Sequence, residues 1–130
     1  MRTILDTSVL VAGGVGEVSG ELAISAVSLA EIHFGVLVAR NDVDRARRLR
    51  LLTELTSRFD PLPVDATVAS SFGLLAAAVK HAGRQPRPRS MDLLIAATAH
   101  AHDARLATLN AGDLVGTTDL VEVVDLSTTR

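Results

Sequence analysis

The order of apolar segments predicts an α/β fold built on a short, mostly parallel sheet covered on both faces by helices. Two observations carry this reading. Short apolar runs suited to strands recur near 2–5, 22–25, 62–64, 105–109 and 120–124. Between them lie segments with helical spacing, the clearest being the stripe Val68, Phe72, Leu75 and Val79. Strands separated by helices run parallel, and a parallel sheet needs cover on both sides.

Residues 2–5 form the first strand, which ends at Asp6; 7–11 open a helix that Gly13, Gly14 and Gly16 terminate. A second strand is expected at 22–25. Ser28 then starts a helix reaching about Ala39, and Asn41 or Asp42 caps a longer one to about Phe59. A third strand is expected at 62–64. Asp65 caps the helix that carries the apolar stripe, to about Ala82. The stretch GRQPRPRS at 83–90 is irregular, because a glycine and two prolines interrupt any helix. Ser90 caps a very apolar helix, MDLLIAATAHAHD, and strands at 105–109 and 120–124 follow.

With 130 residues, 48% of them hydrophobic, the chain is sized for one domain (1–130) with its own core. It contains no cysteine, which excludes disulfides, thiolate metal sites and thiol nucleophiles and suits a reducing cytoplasm. The apolar start is broken at Asp6, Thr7 and Ser8, so a secretion leader is not expected. No run has the length to cross a bilayer, so no membrane association is expected. A net charge of −2 argues against holding nucleic acid by bulk charge alone. Arginines are nevertheless grouped, with Arg45, Arg47, Arg48 and Arg50 in one segment and Arg84, Arg87 and Arg89 in another. Three Phe, with neither Trp nor Tyr, disfavour a base-stacking platform.

In parallel sheets, ligands gather beyond the carboxyl ends of the strands. Four acids are expected there: Asp6 at the end of the first strand, Glu31 in the first turn of the Ser28 helix, Asp92 in the first turn of the Ser90 helix, and Asp113 beyond strand 105–109. Each also has a structural reading. Asp6 suits a helix N-cap, Glu31 a capping box with Ser28, Asp92 the positive end of its helix, and Asp113 a loop cap. The apolar sequence around Asp6 and Asp92 weighs on the other side, since neither has an obvious adjacent cation. Burying such a carboxylate costs several kcal/mol, and gathered carboxylates raise one another's pKa. Mg²⁺ or Mn²⁺ relieves both problems, and paired ions of this kind support in-line phosphoryl displacement.

The blocks ILDTSVL, SLAEIHFGV, RSMDLLIAATA and LATLNAGDL occur in the order and context of PIN-domain nucleases. Over essentially its whole length the chain resembles the VapC toxins of bacterial type II toxin–antitoxin systems. The resemblance implies a three-layer α/β/α PIN-like domain and a Mg²⁺- or Mn²⁺-dependent endoribonuclease that hydrolyses RNA with metal-activated water. Asp6, Glu31, Asp92 and Asp113 match the family's catalytic, metal-binding acids. By that match Asp6 and Asp92 are the principal ligands. Glu31 binds through water or takes a proton from the attacking water, and Asp113 completes the shell of a second ion. Many relatives carry an acid where this chain has Asn110, so Asn110 competes with Asp113 for that role. The interval from Asp6 to Glu31 is short for the family. The resemblance further implies a cytoplasmic homodimer held inactive by a cognate antitoxin, which packs a segment in an apolar groove and brings a basic side chain to the acids. Leu and Val on the early helices would supply such a groove, although ordinary core packing explains them equally well. The alternative is a catalytically silent PIN-like protein-interaction module.

Other residues carry less. A phospho-accepting receiver domain needs an early acidic pair and a Lys after a late strand, whereas Lys80 falls within a predicted helix. His100 and His102 are two apart and point to different faces, and His33 is turned from Glu31, so no catalytic histidine is expected. The pairs Arg45–Arg48 and Arg47–Arg50 read as a solvated helix face or as phosphate contacts. The 84–89 loop lies just before Asp92, within reach of a phosphate there. Thr7 and Thr108 read as ligand-positioning or as ordinary structural hydroxyls.

Overall fold

The first apolar run, β1 (Thr3–Leu5), lies inside a four-stranded sheet of order β2-β1-β3-β4, with β2 at Leu22–Ala23, β3 at Arg105–Thr108 and β4 at Val123–Asp125. Every pairing is parallel. The computed structural model describes residues 1–128, so the last two residues of the expected domain lie outside the described residues. The helices are α1 (Thr7–Ala12), α2 (Ala26–Leu37), α3 (Asp42–Arg58), α4 (Ala66–His81) and α5 (Ser90–Ala101).

Alternation along the strands divides the core into two layers. Ile4 and Leu106 pack with Val68, Leu75 and Val79 of α4 and with Leu93 and Ile95 of α5. Leu5 and Ala107 face the other way, onto Val9 and Leu10 of α1, Ile32 of α2 and Leu52 and Leu55 of α3. The expected three-layer α/β/α arrangement is what the chain adopts. Three of the four stripe residues on α4, Val68, Leu75 and Val79, are buried, and Phe72 packs partly buried beside them. Among the described residues, no helix is long and apolar enough to cross a membrane.

Several local expectations shift. The helix expected to start at Ser28 begins at Ala26, because Ser25 is its cap and accepts the Val27 N–H at 3.0 Å. Ser28 is inside the helix, so the Ser28–Glu31 capping box does not form and Glu31 sits in the second turn. The strand expected at 62–64 reduces to one bridge between Leu62 and Ser25. Pro61 and Pro63 flank Leu62 and lack the N–H groups a continuing ladder needs. The irregular 83–90 stretch contains a 3₁₀ turn, Arg87–Arg89, that runs directly into α5. Ser90 is therefore not a cap; its hydroxyl donates to the Arg87 carbonyl at 2.7 Å. The last two strands are shorter than expected, at 105–108 and 123–125.

The turn before β4 docks on the end of α4 through Gly116, whose φ is +97°. A Cβ built there would lie 3.0 Å from the Ala82 Cβ and 3.2 Å from the Ala78 carbonyl oxygen. Left-handed backbone and a tight contact thus act together, and Gly116→Ala is expected to destabilise the fold by about 2 kcal/mol or more, read from urea denaturation.

Candidate active site

Asp6 directly follows the central strand, where its N–H donates to the Ala107 carbonyl at 2.9 Å. It occupies the N-cap position of α1, but its side chain makes no capping bond. The carboxylate turns instead to two hydroxyls. Ser8 Oγ donates to Oδ2 at 2.7 Å and Thr108 Oγ1 donates to the same oxygen at 2.8 Å. Each hydroxyl also accepts a backbone N–H from the chain leaving β3, Ser8 from Leu109 at 3.1 Å and Thr108 from Asn110 at 2.9 Å. With one proton per hydroxyl, both already directed at Asp6, the 3.5 Å Ser8–Thr108 contact adds little.

Glu31 is held by a second hydroxyl pair. Thr7 Oγ1 donates to its Oε1 at 2.7 Å and lies 2.8 Å from Ser28 Oγ. Thr7 and Thr108 therefore position carboxylates, and Ser8 and Ser28 join them in that role. Sequence reasoning missed both serines. The signal was present in hydroxyl residues at once after Asp6, and in a serine three positions before Glu31 on the same helix face.

Asp92 lies in the first turn of α5. Its pKa is raised from 3.8 to about 6, first by burial, then by the negative charges of Asp6, Asp113 and Glu31, with Arg89 pulling the other way. The four acids singled out from sequence thus share one electrostatic neighbourhood, and Arg89, from the arginine-rich loop just before Asp92, is the cation that acts on it. Asp113 is half-buried in a 3₁₀ turn, Ala111–Leu114. That turn is tied to the Arg-rich loop, since Arg84 Nη1 donates to the Gly112 carbonyl at 2.7 Å. Among the described residues, no three His, Cys, Asp or Glu side chains group closely enough to hold one metal ion.

Beside Glu31 a cavity of about 190 Å³ opens between α1, α2 and α3, lined by Thr7, Glu31, Val11, Ile32, Arg48 and Leu51. Val11, Arg48 and Leu51 also line an adjoining cleft of about 520 Å³. Several other candidates are engaged elsewhere. His100 Nδ1 lies 2.7 Å from Ser71 Oγ across the α4–α5 contact. Arg45 pairs with Asp42 at 3.1 Å, Arg47 with Asp44 at 3.7 Å, and Arg48 donates to the Gly35 carbonyl.

The raised pKa of Asp92 has a consequence for stability. Because the folded state holds this proton more tightly than the unfolded chain, ionisation of Asp92 weighs against the fold. The penalty is absent below about pH 3.8 and fully present above about pH 6. Asp92→Asn is expected to raise Tm at pH 7.5 in chelator, with the advantage fading as pH falls through that window.

Residues 3–114 match the PIN domain family. Ribonuclease VapC8 of Mycobacterium tuberculosis is 34% identical over 100 residues, which cover 74% of this chain and 88% of that protein. Among solved structures, VapBC-5 from Mycobacterium tuberculosis, a member of the VapBC family of toxin–antitoxin systems, matches with a TM-score of 0.80 at 31% identity, over 96% of this chain and 98% of that one. VapBC2 from Rickettsia felis matches with a TM-score of 0.75 at 22% identity, a likeness of fold alone. All four acids fall within the matched span, and the chain belongs to the PIN-domain family, in its VapC branch.

Proposed function

We propose that the chain is a Mg²⁺- or Mn²⁺-dependent endoribonuclease, the toxin of a type II toxin–antitoxin pair, with Asp6, Glu31, Asp92 and Asp113 as its working acids. The observation that carries this is the convergence of three carboxylates on a fourth, Asp92, whose pKa is pushed to about 6. The relatives named ribonuclease support the reaction class.

The donor set fits a hard divalent cation: it offers carboxylate oxygens. Mg²⁺ keeps several waters and usually takes one or two carboxylates together with substrate phosphate, so it does not call for a closed protein cage. When bound, such an ion supplies Lewis-acid polarisation of a phosphoryl oxygen and makes water more acidic. Asp6 and Asp92 are the direct ligands in this reading. Ser8 and Thr108 hold the plane of the Asp6 carboxylate, and Thr7 turns Glu31 so that it receives a proton from the attacking water. Asp113, in the turn that Asn110 opens after β3, completes the acidic group. The antitoxin belongs to the same reading, supported by the VapBC-5 likeness. The cleft between α1, α2 and α3 offers it an apolar floor of Val11, Ile32 and Leu51 leading to Glu31. The homodimer implied by the resemblance is checked by molecular mass in solution. With three Phe and no other aromatic residue, RNA recognition is proposed to proceed through backbone shape.

The test is RNA cleavage in Mg²⁺ or Mn²⁺. Wild type is expected to cut, and chelation to abolish cutting. Asp6→Asn and Asp92→Asn should each lose more than the roughly 10–100-fold typical of an outer-shell change. Equal rates in wild type and both variants would overturn the mechanism and leave the silent interaction module.

Thr108→Ala is expected to fall within that outer-shell range of about 10–100-fold, with activity partly regained at higher metal concentration. A rate unchanged at limiting Mg²⁺ would remove Thr108 from the site's support.

A further inference from the structure

Arg89 is held by its own loop rather than by a carboxylate. It closes the 3₁₀ turn Arg87–Arg89 and precedes Asp92 by three residues, about one helical turn. Its charge acts on Asp92. Yet among the described residues it forms no ion pair with any carboxylate. Nη1 donates to the Gln85 carbonyl at 2.8 Å, which anchors the guanidinium, while Nε is buried with no hydrogen-bond partner. Arg105 Nε is likewise buried and unbonded, but Arg105 lies against Glu122, whereas Arg89 has no carboxylate partner among the described residues. The loop that carries it is also secured, by the bond from Arg84 to the Gly112 carbonyl next to Asp113. Arg45, Arg47 and Arg48 offer no equivalent, being engaged along α3.

We propose that Arg89 is a substrate-phosphate ligand, its guanidinium binding nonbridging oxygens of the RNA phosphate at or beside the one cleaved. The assignment rests on the nuclease reading above. The combined negative charge of Asp6, Glu31, Asp92 and Asp113 repels a phosphodiester, so a fixed positive charge beside them decides whether substrate can approach. A planar guanidinium with spare donors matches two phosphate oxygens at once, and one held clear of carboxylates has no ion pair to break first.

The test uses the full chain and a labelled single-stranded RNA that wild type cleaves. Arg89→Ala is expected to lower kcat by about 100-fold, the loss seen when one donor to a reacting group is removed. In an Asp6→Asn background, which holds RNA without cutting it, Arg89→Ala should weaken binding and reduce the slope of log K against log salt by about one. Arg89→Lys retains the point charge without the fork, so it should recover the salt slope and not the rate; it also serves should Arg89→Ala fail to fold. Arg40→Ala removes an exposed charge outside the loop and should match wild type in both measurements. The proposal is overturned if Arg89→Ala keeps wild-type kcat and salt slope, if Arg40→Ala reproduces its losses, or if Arg89→Lys restores the full rate. Should wild type itself cut no RNA, the nuclease reading fails and this assignment with it; normal cutting by Arg89→Ala defeats the assignment alone.

Discussion

At the end of the sheet's first strand, where water hardly reaches, stands a carboxylate that is 5% exposed and must still find partners for its oxygens. The parallel register solves this. Leu5 lies opposite Ala107, so the next residues on the two strands, Asp6 and Thr108, emerge side by side. Ser8, from the first turn of α1, reaches the same oxygen. Both hydroxyls accept N–H groups from the segment leaving β3, so one small network joins the start of a helix, the ends of two strands and the loop toward Asp113. A slip of one residue would turn every side chain of the strand to the opposite face and dissolve the network. Packing register and the orientation of Asp6 are one constraint.

Asp92 meets the opposite condition. It begins a helix in which Leu93, Ile95, Ala96, Ala97, Thr98 and Ala99 are all buried. Such a helix has no freedom to swing its first turn toward solvent. The carboxylate therefore keeps its place among three other acids, and burial with their repulsion pushes its pKa to about 6. Arg89 offsets only part of this, because it stays anchored on the Gln85 carbonyl instead of closing an ion pair. Rigidity of the core thus leaves uncompensated negative charge at the surface.

The larger features were legible because local chemistry and tertiary structure agree on them. The stripe on α4 and the apolar run after Asp92 are buried as their spacing requires, and Gly13 ends α1 in a left-handed conformation. The misreadings have particular causes. Ser25 and Ser28 are equally good caps in isolation; contacts distant in sequence select Ser25, through Thr98 Oγ1 at 3.3 Å and the Leu62 backbone bonded to Ile24 and Ala26. Leu62 looked like part of a strand because its apolar neighbours were counted, while the prolines on either side prevented a ladder. Arg89 was read as part of an irregular loop, so its helical relation to Asp92 went unseen. Of the candidate site, Asp6 and Asp92 stood out by their apolar surroundings and Glu31 and Asp113 by the family resemblance, but the hydroxyl partner of Asp6 on β3 lies 102 residues away and becomes a neighbour only in the folded sheet.

That the acids share a neighbourhood without closing into a cage bears on what the proposed reaction needs. A full ring of protein ligands would satisfy a cation and leave no coordination position for water or phosphate. Here the rigid parts of the fold divide the labour: β1 and β3 hold Asp6 through hydroxyls, α2 presents Glu31 through Thr7, and α5 fixes Asp92 by burial. None of these supports relies on another acid to hold its own in place. Asp6 and Glu31 are thus preorganised by hydroxyl donors and Asp92 by burial, not by contacts among the acids themselves. An acidic group of this kind attracts no phosphate by itself. Its usefulness as a nuclease centre therefore depends on positive charge brought to its edge by the cation and by an arginine that the fold has not already neutralised.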